Sequence, residues 1–161
     1  MTFYANPRLF EPLDIGDLAL ANRIVIAPMC QYSAKDGVPG DWHREHLASF
    51  ARGGAGLVMT EASAVTPEGR ITYGDVGLYD KATERAMAEV LQGIRAWSDM
   101  PIAIQLAHAG RKASTWRPWL GKHGSVPIAA GGWTPVGPSA IAFSPEHAVP
   151  TALDDAGIAG V

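Results

Sequence analysis

The sequence predicts an α/β fold built on parallel strands, and three observations predict it. Apolar runs near 24–29, 55–62 and 102–110 are too uniformly hydrophobic for strands with one wet face. Two segments between them, 41–52 and 80–98, carry apolar residues at helical spacing. The first two runs are also each followed by a long polar loop before the helix. Strand, loop, helix, strand is the rhythm of right-handed βαβ units.

Bulk properties narrow the class. A chain of 161 residues can bury a real core. It is 47% hydrophobic and 18% charged, with a net charge of −3. That balance and a pI near 5.9 argue against a nucleic acid or an anionic membrane as partner. No run of about 18 apolar residues offers a membrane span. The start, MTFYANPRLFEPLD, lacks the basic-then-apolar order of a secretory leader. The single cysteine, Cys30, cannot form an intrachain disulfide. The expectation is a soluble cytoplasmic protein.

The elements follow in order. Residues 9–22 read as a hairpin, PLDI and LAL joined by the two-residue turn Gly16-Asp17. The run 24–29 is the first buried strand. Asp41 is a plausible N-cap for a helix through Arg52, with Leu47, Phe50 and Ala51 on one face and Gly53-Gly54 as its stop. AGLVMTEA (55–62) is the second strand. Asp80 can cap a helix to about Ser98 whose apolar face is Ala86, Val90, Ile94 and Trp97. IAIQLAHAG (102–110) is the third strand, closing a block at 23–110.

The rhythm then fails. Residues 111–150 hold six of the twelve prolines and three of the five tryptophans, without periodicity. Trp116, Trp119, Trp133, Ile141 and Phe143 favour an ordered excursion over the strand tips rather than a disordered loop. At 151–161, Thr151-x-x-Asp154 resembles a capping box and LDDAGIAGV starts a helix. The chain therefore reads as truncated where a fourth unit would begin, since three parallel strands cannot close a barrel and leave two edges unpaired.

In such folds chemistry sits at the C-terminal ends of the strands. Those ends are Pro28-Met29-Cys30, Glu61-Ala62-Ser63 and Gln105 to Gly110. Gln105 is an amide inside an apolar strand, with donors and acceptors to satisfy. A heterocycle with alternating carbonyl and N–H groups would satisfy it; neighbouring backbone is the alternative. His43 and His46, three apart on the first helix, have a spacing that can bind metal, but no third ligand is evident and packing is the simpler role. His108 is better placed but equally ambiguous. Cys30 could be a nucleophile, although nothing nearby in sequence marks a thiolate-stabilising partner. No glycine-rich phosphate loop occurs.

The stretches NRIVIAPMCQY, GLVMTEASAVTPEGRIT, QLAHAGRKAS and PSAIAF resemble, in order and spacing, the N-terminal half of the Old Yellow Enzyme family. The likeness is greatest to its branch of xenobiotic reductases and related ene-reductases. That resemblance implies part of a (β/α)8 TIM barrel, 1–161, with non-covalent FMN at the strand C-termini. It implies hydride transfer from NADPH or NADH to the flavin and on to an activated alkene, a small molecule, in an enzyme that is a homo-oligomer when complete. Ala27, Pro28, Met29 and Cys30 would line the flavin, Ala62 would touch it, and Gln105 would bond its pyrimidine edge. Cys30 would adjust the flavin's redox behaviour and Tyr32 would face the substrate; Arg111 lies in a matching motif without an assigned role. The family's substrate-holding histidine pair, its tyrosine proton donor, a flavin arginine and the phosphate grip come from later strands. The 161-residue piece is therefore expected to be inactive alone. Two rival readings remain: a non-catalytic half-barrel that serves as a folding or assembly module, and a cysteine hydrolase.

Overall fold

The computed structural model describes residues 7–161. Residues 1–6, part of the segment read above for a leader, lie outside the described residues. Strands β1 (Leu13–Ile15) and β2 (Leu18–Leu20) form the expected antiparallel hairpin, with Gly16 at φ +58 in its turn. Glycine carries no Cβ penalty there.

The central sheet is parallel. Strand β3 (Val25–Ile26) pairs with β4 (Leu57–Ala64), and β4 pairs on its other edge with β6 (Ile102–Ala107). The three strands thus lie side by side in chain order. A short strand absent from the sequence reading, β5 (Val76–Gly77), pairs with Ser63 and Ala64 at the far end of β4. Strand β3 is shorter than the expected 24–29. Pro28 has no N–H to give a ladder, and β5 takes the edge of β4 further along. The chain at 27–32 is left to run free of the ladder toward the strand tips.

Helices α1 (Asp41–Gly53) and α2 (Lys81–Arg95) cover one face of this sheet. Leu47, Ala48, Val58, Val90 and Ile94 form the shared core, with Ile26 and Ile102 packed against it. Burying each large aliphatic side chain contributes about 1.5–3 kcal/mol. A second cluster joins Ala34, Val76 and Met87.

Three expectations need correction. The N-cap of α1 is Gly40, and Asp41 lies inside the first turn, where it binds Arg44 at 2.7 Å. The buried face of α2 runs Thr83, Met87, Val90, Ile94, because the helix ends at Arg95 and leaves Trp97 exposed. Thr151 is no helix cap. It lies in β8 (Thr151–Ala152), parallel to β7 (Val136–Gly137), and Asp154 alone caps α3 (Asp155–Ala159) by accepting from Gly157 N. Asp80 caps α2 as expected, accepting from Thr83 N at 2.8 Å.

The 111–150 excursion is ordered, and it is tied to the loop after β4. Ser114 and Thr115 donate backbone N–H groups to Arg70 and Ile71, and the Trp133 indole donates to the Glu68 carbonyl at 2.8 Å.

Candidate functional site at the strand tips

Register decides what gathers at the C-terminal ends. Ala62 stands directly opposite Gln105, after an irregularity in β4 between Met59 and Ala62. Three residues advance on β4 there while two advance on β6, so one extra residue is accommodated. Along β6, Ala103, Gln105 and Ala107 alternate with Ile102, which packs toward the helices. Gln105 and Ala62 therefore share the face turned away from the helix layer.

That face carries one amide among alanines, with Met59 opposite Ala103 at its start. Among the described residues the Gln105 side chain makes no hydrogen bond, and Ala62, Ala103 and Ala107 surround its position in the pairing. Free donors and acceptors above a shelf of methyl groups suit a flat, polar-edged ring. The residues present fit a flavin in that respect.

The 27–32 segment closes the site from the β3 side. Met29 is half exposed and Cys30 is half-buried. The Cys30 thiol lies within hydrogen-bond reach of the Ala62 backbone and the Tyr32 hydroxyl. Burial pushes the thiol above its ordinary range; the Asp75 and Glu61 carboxylates add to this, against the Ala62 hydrogen bond. A thiol held protonated is a poor nucleophile, which counts against the hydrolase reading. Tyr32 is pushed up to about 12, chiefly by burial and then by the neighbouring Cys30. Its ring meets Trp119 edge-on, with centroids 5.8 Å apart. A basin of about 390 Å³ opens beside Tyr32, lined among others by Thr72, Lys112, Trp116, His123 and Phe143.

The histidines take separate roles. His43 is buried against Glu61, His46 stacks edge-on with Phe50 at 4.9 Å, and His108 Nδ1 accepts from Gly110 N. Arg111 is exposed on a short 3-10 turn. Sequence reasoning missed two buried acids. Glu61 is 6% exposed and Asp75 1% exposed. Asp75 accepts from the Ile71 and Thr72 amides and the Thr72 hydroxyl, which organises the turn beneath the basin, and its burial raises its pKa.

The fold is an open arc of parallel β/α barrel, with Ala62 and Gln105 paired toward the C-terminal ends of β4 and β6. A family profile for the NADH:flavin oxidoreductase / NADH oxidase family matches residues 8–130. The chain belongs to that family. It is 44% identical over 139 residues to an NADH:flavin oxidoreductase of Gibberella zeae, covering 85% of this chain and 33% of that protein. It is 39% identical over 151 residues to an NADPH dehydrogenase of Bacillus licheniformis, covering 92% of this chain and 40% of the other. Among solved structures, morphinone reductase superposes with a TM-score of 0.76 at 29% identity, over 99% of this chain and 43% of its own. The old yellow enzyme homologue from Zymomonas mobilis gives 0.75 at 27% identity, over 96% and 42%. The chain thus spans well under half the length of these relatives, and it forms part of a TIM barrel. No described helix is long and apolar enough to cross a membrane.

Proposed function

We propose that this chain supplies one face of the FMN site of an NAD(P)H oxidoreductase that reduces activated alkenes. When bound, FMN supplies the hydride-carrying ring for that chemistry. The observation that carries the reading is Gln105. Its amide stands without a partner among the described residues, on a shelf of alanines opposite Ala62.

In this reading Gln105 bonds the polar edge of the ring, which fixes the ring's position along the shelf. Ala62 and the backbone of Ala27, Pro28, Met29 and Cys30 exclude water from the ring's side. The Cys30 thiol, held protonated by burial and by two nearby carboxylates, offers a neutral, polarisable contact. The phenol of Tyr32 stays protonated at neutral pH and can donate a hydrogen bond into the basin, toward the oxygen of an enone. The chain then works only with the rest of the barrel, in a homo-oligomer in the cytoplasm.

The test joins this chain to the remaining barrel of the Bacillus licheniformis relative and measures FMN binding by fluorescence quenching. Replacing Gln105 by Leu leaves ring atoms unpaired and weakens binding by about 1–3 kcal/mol. An unchanged FMN dissociation constant overturns the assignment.

A further inference from the structure

The 29–32 segment carries a conformational strain that something must hold. Tyr32 has φ +50, in the left-handed region, which costs a residue with a Cβ roughly 1–2 kcal/mol. On its far side Ala34 N donates to Gly74 O at 2.9 Å, and a Cβ at Gly74 would meet Tyr32 O at 2.4 Å. The chain beyond Tyr32 is therefore pinned by a glycine that nothing larger can replace.

On its near side the pin is Gln31. Its backbone N–H donates to Glu61 Oε2 at 2.9 Å. Its side-chain amide donates to Met29 O at 2.9 Å, while its Oε1 accepts from the Trp42 indole at 3.2 Å. Glu61 is in turn set by a second buried group, since its Oε1 lies 3.3 Å from His43 Nε2 and the two side chains are 5% and 4% exposed. His43 Nδ1 accepts the Gly40 N–H at 3.0 Å, so the neutral ring carries its proton on Nε2, on the side facing Glu61. The Nε2 contact is close but off the hydrogen-bond axis. An N–H group, a ring and a carboxylate thus run in series from the start of α1 to the Gln31 amide.

Resting on the flavin reading, we infer that Glu61, oriented by His43, is a positioning residue: its carboxylate holds the Gln31 amide and so aims Cys30 and Tyr32 at the ligand face. Glu61 touches neither ring nor substrate in this role. The loop's conformation would otherwise relax, because Pro28 and the short β3 leave 27–32 without ladder bonds.

Cys30 is the only cysteine of the chain, so its alkylation by iodoacetamide reports the loop without any flavin. In the 161-residue chain, Glu61→Ala should speed Cys30 alkylation by about tenfold, the equilibrium change expected from losing one buried charge-assisted hydrogen bond. The Gln31 amide should lose its hydrogen-exchange protection in step. Glu61→Gln keeps an acceptor in place and should stay within about threefold of the unsubstituted rate. Equal rates in all three folded chains overturn the inference, as does a Glu61→Gln rate as fast as that of Glu61→Ala. Should Glu61→Ala not fold, His43→Asn is read instead, with about threefold faster alkylation expected and an unchanged rate overturning the inference. Since no arm uses FMN, these outcomes are separate from the Gln105→Leu test.

Discussion

The block from Val25 to Ala107 and the excursion from Gly110 to Pro150 are held by different physics. The block buries a continuous apolar core between sheet and helices, where Val58 is 0% and Ile94 1% exposed. In the excursion Trp119, Ile128, Ile141 and Val149 are each about 60% exposed, and the buried apolar side chains are smaller ones, Ala113, Val126, Pro135 and Pro150. It is ordered by backbone bonds to Arg70 and Ile71, by the Trp133 indole, and by close approaches such as Gly124, where a Cβ would meet Glu146 O at 2.1 Å. Hydrophobic burial has made the scaffold, and directional bonding has shaped the rim of the site. A rim built that way opens locally at lower free energy than the core.

That contrast can be broken most sharply in the core. Ile94→Ala should lower the stability of the whole chain by about 2–5 kcal/mol, read as a fall in the urea midpoint. A loss under about 1 kcal/mol would mean that the α1–α2–sheet core is not what holds the block. A smaller effect is expected in the excursion. Trp133→Phe removes the bond to Glu68 O and should cost about 1 kcal/mol, seen as faster proteolytic cleavage within 111–150 with the urea midpoint almost unchanged. If Trp133→Phe lowered the midpoint as far as Ile94→Ala, the two regions would be one cooperative unit.

The smallest effect is a pH dependence within the block. Burial holds the His46 pKa below its ordinary value of 6.5. The folded chain then binds fewer protons at this site than the unfolded chain, so stability rises with pH there. The contribution is full above about pH 6.5 and is lost as pH falls through the lower folded value. His46→Gln should flatten the slope of urea midpoint against pH between about 5 and 7. An identical slope in the variant would assign the dependence to another group.

Much of this was readable in the sequence where local chemistry and pattern agree. Gly16-Asp17 announces the hairpin, Asp80 the start of α2, and Gln105 the polar group in an apolar strand. Strand β5 was not readable, because two residues in a loop have no alternation to detect. Nor was the excursion's geometry, which depends on contacts some forty residues apart, such as Thr115 with Ile71. Glu61 was readable in principle. A carboxylate inside AGLVMTEA is the same kind of signal as Gln105, since a buried charge requires partners. The partner lies eighteen positions earlier on a helix, and only the fold shows that His43 is the one.

The extra residue in β4 between Met59 and Ala62 has a consequence for how such a sequence can change over generations. It sets Glu61 toward Gln31 and His43 and leaves Ala62 opposite Gln105. Substitutions along 57–64 alter one side chain at a time and can be absorbed singly. Loss of one codon at Thr60 would restore an even pairing without moving Ala62 from Gln105: Glu61 would fall opposite Ile104, on the face that Ile102 turns to the helices. The Ala62–Gln105 pairing can therefore survive a change of one residue in the length of β4, while the setting of Glu61 toward Gln31 and His43 depends on the extra residue.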